Sequence, residues 1–368
     1  MRVQWDQWVR EEGPIASDAR INQLVTEVLR VDPENPDRTV IARAAACLRR
    51  GGLVAFPTET VYGLGAHALD RAAIQRVFAA KERPANDPLI VHVASLDEAA
   101  SLVADIPDAA RQLASKFWPG PLTMVLKRSA AVPREVTAGL DTVAVRVPSH
   151  PVARALIETA GIPVAAPSAN LFSRPSPTQA SHVLADLEDR IDMIVDGGAT
   201  HVGLESTVVD LSGPAATILR PGAISTEHLR ELLPDVRIQR SITQPTDAMP
   251  APGMLARHYS PRTPVVLYAG ERGRALRALQ RDAQERLDRG ERIVVLAYTG
   301  DVKELGSLPV QVVELGSEAD PPAVAARLYA ALRESDELGA TAILVRSMNT
   351  EHPLSAAIHD RLRRAAAR

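Results

Sequence analysis

Apolar positions change character twice along the 368 residues. Residues 1–36 form a polar extension, helically spaced over 18–30, that ends in the turn-rich DPENPD. From 37 to 240, short apolar runs alternate with helical stripes. The spacing predicts a helix over 39–50 stopped by Gly51-Gly52, a buried strand at 53–56, a loop over 58–68 and a helix over 70–81 capped by Asp70. A strand follows at 89–93, then helices at 96–104 and 108–117. WPGPLTMVLKR (118–128) reads as a turn into a strand, and 141–148 alternates as a strand should. A helix at 151–160 precedes a strand that runs from 161 into the Pro-Ser-Ala-Asn loop. A helix at 178–187, strands at 192–196, 207–211 and 216–220, and a helix at 225–233 complete this part. Many short strands with weak alternation imply an open, twisted, mixed α/β sheet.

Residues 241–263 break the pattern. Five prolines fall in 241–264, the last of them Pro264, which marks a linker. From 264 to 368 the pattern is cleaner: strand 264–268, helix 271–289, strands 292–297 and 310–315, helix 321–335, strand 340–346, helix 354–364. That order predicts a small Rossmann-like parallel sheet as a second α/β domain.

Composition narrows the classes. The chain is 46% hydrophobic and 24% charged, with a net charge of −3, so no polybasic nucleic-acid binder is indicated. One cysteine, Cys47, excludes an internal disulfide and a multi-cysteine zinc site. No apolar run is long enough to span a membrane, and the first 30 residues lack the features of a signal peptide, so the expected location is the cytoplasm.

Known phosphate signatures are missing or misplaced. There is no Walker-type G-x-x-x-x-G-K-[ST]. Gly63-Leu-Gly65-Ala-His-Ala68 mimics a dinucleotide fingerprint but is separated from the strand at 53–56 by a loop containing Pro57. No H-E-x-x-H and no G-x-S-x-G occur. Lys81-Glu-Arg83, at a helix end, either compensates the helix dipole or aims two cations at phosphate. The loops Pro57-Thr58-Glu59-Thr60 and Pro167-Ser168-Ala169-Asn170 each follow an apolar strand and offer hydroxyls or amides. His92 is either a satisfied core imidazole or a substrate partner. Arg146, inside an apolar strand, requires an anion; a ligand carboxylate is favoured over an internal ion pair. Ser206-Thr207 reads as a strand entrance, and Arg220 ends a strand where it could face phosphate. Hydroxyls, cations and a histidine without a nucleophile signature suggest catalysis by positioning and charge stabilisation.

Taken together, FPTETVYGLG, KERPANDPLIVHV, FWPGPLT, AVRVPSHP, AAPSAN, DGG…GLESTVVD and LRPG closely resemble the YrdC-type L-threonylcarbamoyladenylate synthases over residues 37–235. APGMLARHYSP and the terminal domain resemble the long, two-domain form. The resemblance implies a reaction of L-threonine, bicarbonate and ATP to threonylcarbamoyl-AMP and pyrophosphate, the first step of threonylcarbamoyladenosine formation in tRNA. It implies a catalytic tetrad at Lys81, Arg83, Ser168 and Asn170. Threonine would be held by Thr60, His92, Arg146, Ala166 and Ser206. Arg83, Asp87, Thr142, Ser168, Ser176 and Arg220 would line the ATP side, with His258 and Tyr259 folding over it. Mg²⁺ would arrive with ATP and not on protein ligands. The product would pass to a tRNA threonylcarbamoyl transferase, with at most weak contact to tRNA and none to membrane. Asp87 departs from the usual Asn of the family; it would repel polyphosphate unless Mg²⁺ or an Arg stands between. Two rivals are an RNA-binding module of the same fold without catalysis, betrayed by salt-sensitive RNA affinity and no pyrophosphate release, and a hydrogenase-maturation relative, which would carry zinc-finger segments that one cysteine cannot build.

Overall fold

The computed structural model describes residues 25–239, 248–306, 308–348 and 350–367. The first part of the chain runs β1 (Glu27–Arg30), α1 (Arg38–Arg49), β2 (Val54–Pro57), β3 (Tyr62–His67), α2 (Arg71–Lys81), β4 (Ile90–His92), α3 (Leu96–Ala100) and α4 (Asp108–Phe117). It continues through β5 (Leu122–Lys127), β6 (Thr142–Arg146), α5 (Pro151–Ala160), β7 (Val164–Ala165), α6 (Ala180–Leu187), β8 (Met193–Asp196), β9 (Thr207–Asp210), β10 (Thr217–Arg220), α7 (Thr226–Arg230) and β11 (Arg237–Ile238). The second part holds β12 (Val265–Tyr268), α8 (Arg272–Asp288), β13 (Ile293–Tyr298), α9 (Thr299–Leu305), β14 (Gln311–Gly316), α10 (Pro321–Glu337), β15 (Ala342–Arg346) and α11 (Pro353–Ala365).

Local chemistry sets many of these boundaries. Asp37 and Asp70 cap α1 and α2 by accepting backbone N–H groups of the first turn. Pro151 opens α5, and Gly161 closes it in the left-handed conformation.

The first eleven strands form one mixed sheet in the order β1-β8-β2-β3-β7-β4-β6-β5-β9-β10-β11. Apolar clusters cover it: Leu64, Ile74, Val77, Val91 and Val145 are among one, and Leu48, Phe56, Val152 and Val195 among another. The second sheet, β12-β15-β13-β14, is parallel throughout. Among the described residues no helix is long and apolar enough to cross a membrane.

Three expectations need correction. Residues 27–30 are a strand paired with β8, not the end of a helix; the proposed helix's first part, 18–24, lies outside the described residues, as does 241–247 of the linker. Residues 62–67 are a strand, not a loop, so 58–61 is the turn of a β2–β3 hairpin. The glycines explain both the strand and the false fingerprint. A Cβ at Gly65 would sit 2.8 Å from Phe56 Cε1 and 3.0 Å from Val164 Cγ1, and one at Gly63 3.3 Å from Ala166 Cβ. These glycines admit close neighbours on β2 and β7 and do not cradle a pyrophosphate. A helix, α9, also stands between β13 and β14, where no helix was expected.

Candidate active site

The strand ends and loops of the mixed sheet meet at one buried hollow. Its space, mouth included, is about 520 Å³. The β2–β3 turn contributes Thr58 and Thr60, β4 His92, β6 Arg146, and the loop after β7 Ala166 and Ser168. The entrance to β9 brings Glu205 and Ser206, β10 ends in Arg220, and Arg83 follows α2. The linker closes the hollow with Pro252, Gly253, His258 and Tyr259.

Arg146 is 4% exposed and organises one wall. It lies 2.7 Å from Glu59 Oε1, donates to Thr60 Oγ1 at 3.1 Å and to the Gly120 carbonyl at 3.3 Å. An internal ion pair with Glu59 is therefore present and balances the buried guanidinium, as an isolated buried charge would require, so a ligand carboxylate would be a second partner of Arg146 and not the alternative to that pair. The guanidinium nevertheless faces the hollow. Thr58 and Thr60 share a hydroxyl–hydroxyl bond of 2.8 Å, and Thr123 and Ser206 another of 2.8 Å. Arg220 donates to the Ser206 carbonyl, the Ser206 hydroxyl and the Pro252 carbonyl, which ties the linker to β10.

Lys81 does not line the hollow. It is 1% exposed, and its Nζ donates to the carbonyls of Ser168 and Asn170, each at 2.5 Å. Burial, with Arg83 nearby, holds its ammonium well below the usual lysine range. Lys81 thus shapes the Pro-Ser-Ala-Asn loop. Arg83 donates to the carbonyls of Asp87 and Pro88 and lies 2.9 Å from the Asp87 carboxylate. An arginine therefore stands beside Asp87, the condition that its negative charge required. Burial pushes the Asp87 carboxyl up, against the pull of Arg83.

Ten of the residues expected from sequence line the hollow: Thr60, Arg83, His92, Arg146, Ala166, Ser168, Ser206, Arg220, His258 and Tyr259. Five do not. Lys81 is bonded to the carbonyls of Ser168 and Asn170, and the Asn170 amide donates to the carbonyls of Leu171 and Arg174. Asp87 is sealed beside Arg83. Ser176 is buried and donates to Glu205. Thr142 begins β6 opposite Lys127, off the cavity wall, because the strand's other end carries Arg146 into it. Thr58 stood in a loop read as offering hydroxyls but was given no role of its own, and Glu205 and Gly253 were missed. Glu205 had a signal, a carboxylate beside Ser206 in an apolar strand entrance.

Polar atoms without partners cluster here: Nδ1 of His92, Nδ1 of His258 and the Tyr259 hydroxyl are buried and unbonded among the described residues. Such groups are costly unless a ligand satisfies them. Burial, then Arg146, pushes His92 down to about 3. The folded protein therefore keeps this imidazole neutral where the unfolded chain, near 6.5, takes up a proton. Stability from this residue is full above about pH 6.5 and is lost as pH falls toward 3. His92→Gln is expected to flatten the pH dependence of urea midpoints in that window; an identical pH slope in both proteins would refute a neutral His92.

Among the described residues no group of three acidic, histidine or cysteine side chains is placed to hold a metal.

A family model described as "Telomere recombination" matches residues 46–222, and one described as "Threonylcarbamoyl-AMP synthase, C-terminal domain" matches 224–367. The threonylcarbamoyl-AMP synthase of Pyrococcus abyssi is 43% identical, over 88% of this chain and 93% of that protein. That of Bacillus subtilis is 42% identical over 89% and 92%. The solved structure of P. abyssi Sua5 complexed with L-threonine superposes with a TM-score of 0.86 at 42% identity, covering 93% of this chain and 98% of that one. With both domain models matched in order and close relatives aligned along nearly their whole length, the chain belongs to the two-domain Sua5 branch of the threonylcarbamoyl-AMP synthase family.

Proposed function

We propose that the hollow joins L-threonine, bicarbonate and ATP into threonylcarbamoyl-AMP, with release of pyrophosphate. The observation that carries this reading is the union of two kinds of group in one buried space: a hydroxyl-lined wall around Arg146, and two further arginines, Arg83 and Arg220, that line the same hollow with Ser168. The first suits an α-amino acid. Arg146 takes the carboxylate, and Thr60, His92 and Ser206 receive the hydroxyl and amine, with the backbone at Ala166 alongside. The second suits a nucleotide. Arg83, Ser168 and Arg220 face its phosphates, while Lys81 and Asn170 bond the Ser168 carbonyl and Ser176 bonds Glu205 on the adjoining wall. Thr142 and Asp87 are left without a direct part.

The amine lone pair forms the N–C bond to bicarbonate and water departs, giving N-carboxy-threonine. An oxygen of that carboxylate then forms a bond to the α-phosphorus, and the bond to pyrophosphate breaks. Charge on the phosphates is offset by Arg83 and Arg220, fixed in place before the reaction. Mg²⁺ arriving on the nucleotide's phosphates would supply further charge neutralisation. A carbamate decomposes in water, so His258 and Tyr259 over the hollow serve as a shield. The P. abyssi relative, crystallised with L-threonine, supports the amino-acid assignment. The product would be handed to a tRNA threonylcarbamoyl transferase. An RNA-binding module without chemistry is disfavoured because the polar groups are turned into a capped interior.

Pyrophosphate release, measured with each of threonine, bicarbonate and ATP omitted in turn, is expected to stop in every omission. Release that continues without threonine would defeat the reading.

A further inference from the structure

Two residues of the second domain reach the wall of the hollow. The Tyr329 hydroxyl, on α10, donates to Glu205, at 3.0 Å from one carboxylate oxygen and 2.8 Å from the other. Arg361 Nε, on α11, donates to the same carboxylate at 2.8 Å. Both side chains are fully buried. Burial opposes the charge on Glu205, yet Arg361 and Arg220 hold its carboxyl below the usual range. The same two residues enclose the linker's tyrosine. The Arg361 guanidinium carbon stands 5.2 Å from the Tyr259 ring centroid, and the Tyr329 ring centroid lies 5.6 Å away on a tilted plane.

Tyr259 needs such enclosure. Its φ is +60°, a left-handed backbone that a bulky residue rarely adopts without support. Its hydroxyl is buried without a partner and sits against Gly253, where a Cβ would lie only 2.3 Å from that oxygen. The flanking linker hangs from the last turn of α11. His258 N–H donates to the Arg364 carbonyl at 3.4 Å, Ser260 Oγ to the Ala365 carbonyl at 3.3 Å, and Arg364 Nη1 to the Leu255 carbonyl. The Arg364 and Ala365 carbonyls belong to the helix end, where carbonyls run out of partners in the following turn; Arg364 also accepts from the Ala366 and Ala367 N–H groups, and the linker adds further donors. Gly203 completes the junction: a Cβ there would fall 2.3 Å from Ala326 Cα, so the loop before Glu205 packs directly on the backbone of α10.

We infer that Tyr329 and Arg361 are positioning residues that clamp Tyr259 over the hollow through Glu205, so that the second domain completes the reaction chamber. This deepens the reading given above. It makes closure a property of the domain junction, with Glu205 as the shared anchor: the cavity wall and the cover are held by one carboxylate.

The test uses the full chain with Tyr329→Phe, Arg361→Met and Arg361→Lys. Hydrogen–deuterium exchange is followed by mass spectrometry in peptides spanning 248–262, and threonylcarbamoyl-AMP formed per ATP consumed is measured alongside. Losing charge-assisted bonds to Glu205 is expected to speed linker exchange by roughly tenfold or more in Arg361→Met. Exchange in α10 and α11 stays unchanged, product per ATP falls, and Arg361→Lys recovers part of both. Tyr329→Phe keeps the ring contact and produces a smaller effect. Linker exchange equal to wild type in both Arg361→Met and Tyr329→Phe would overturn the inference. So would a rise spread evenly over α10, α11 and the linker, which marks a merely structural role. A wild-type protein that releases no threonine-dependent pyrophosphate would defeat the assigned reaction and leave the clamp standing on its exchange result.

Discussion

Arg146→Met is expected to lower threonine-dependent pyrophosphate release by roughly 10²- to 10³-fold, the scale of losing a preorganised charge partner in a closed site. The guanidinium faces the hollow beside Thr60 and has no nearby substitute on β6. Its removal also strands Glu59, which is 7% exposed and donates nothing itself. Breaking a buried pair in this way costs about 3–5 kcal/mol of stability. The two effects separate in a double variant. Arg146→Met with Glu59→Gln removes the stranded charge and is expected to regain most of the lost stability without regaining threonine use. Recovery of turnover in that double variant would show that Arg146 serves only to neutralise Glu59.

Lys81→Ala and Arg83→Ala are each expected to reduce turnover by about 10²-fold or more, by different routes. Lys81 bonds the backbone carbonyls of Ser168 and Asn170, in the loop that presents Ser168. Without it those carbonyls lie buried and unmatched, the loop shifts, and a displacement of even about 1 Å at a reacting group costs about 10²-fold. The loss is expected in kcat. Arg83 faces the hollow, so its loss is expected in the KM for ATP as well. Steady-state kinetics with ATP varied at saturating threonine distinguishes the two. Wild-type-like turnover in both variants would remove the pair from the mechanism.

The fold was legible where periodicity and caps agree. Asp70 and the stripe of Ile74, Val77 and Phe78 mark α2, and alternation marks β6. Legibility failed where a local signal meant something tertiary. Gly63 and Gly65 look like loop formers, yet they are strand residues stripped of Cβ so that Phe56 and Val164 can approach. The 27–30 segment carries only Val28 and Leu29 as apolar cues, so its pairing with β8 depends on a partner more than 160 residues away. At the site, the order of motifs identified the residues but not their orientation. Lys81 and Arg83 are two positions apart, and only Arg83 lines the hollow, because α2 ends between them with Glu82 in the left-handed conformation. Glu205 with Tyr329 and Arg361 was invisible because its members come from different domains.

The linker's grip has a thermal consequence. Met249, Ala251 and Met254 are nearly or wholly inaccessible and pack on Ile90, Val125, Ala144, Val208 and Leu219. Peeling the segment back would wet this greasy patch, and the penalty for wetting it shrinks on cooling. Chilled samples without substrate should therefore spend more time ajar than warm ones, so a sluggish enzyme in the cold need not have slow chemistry.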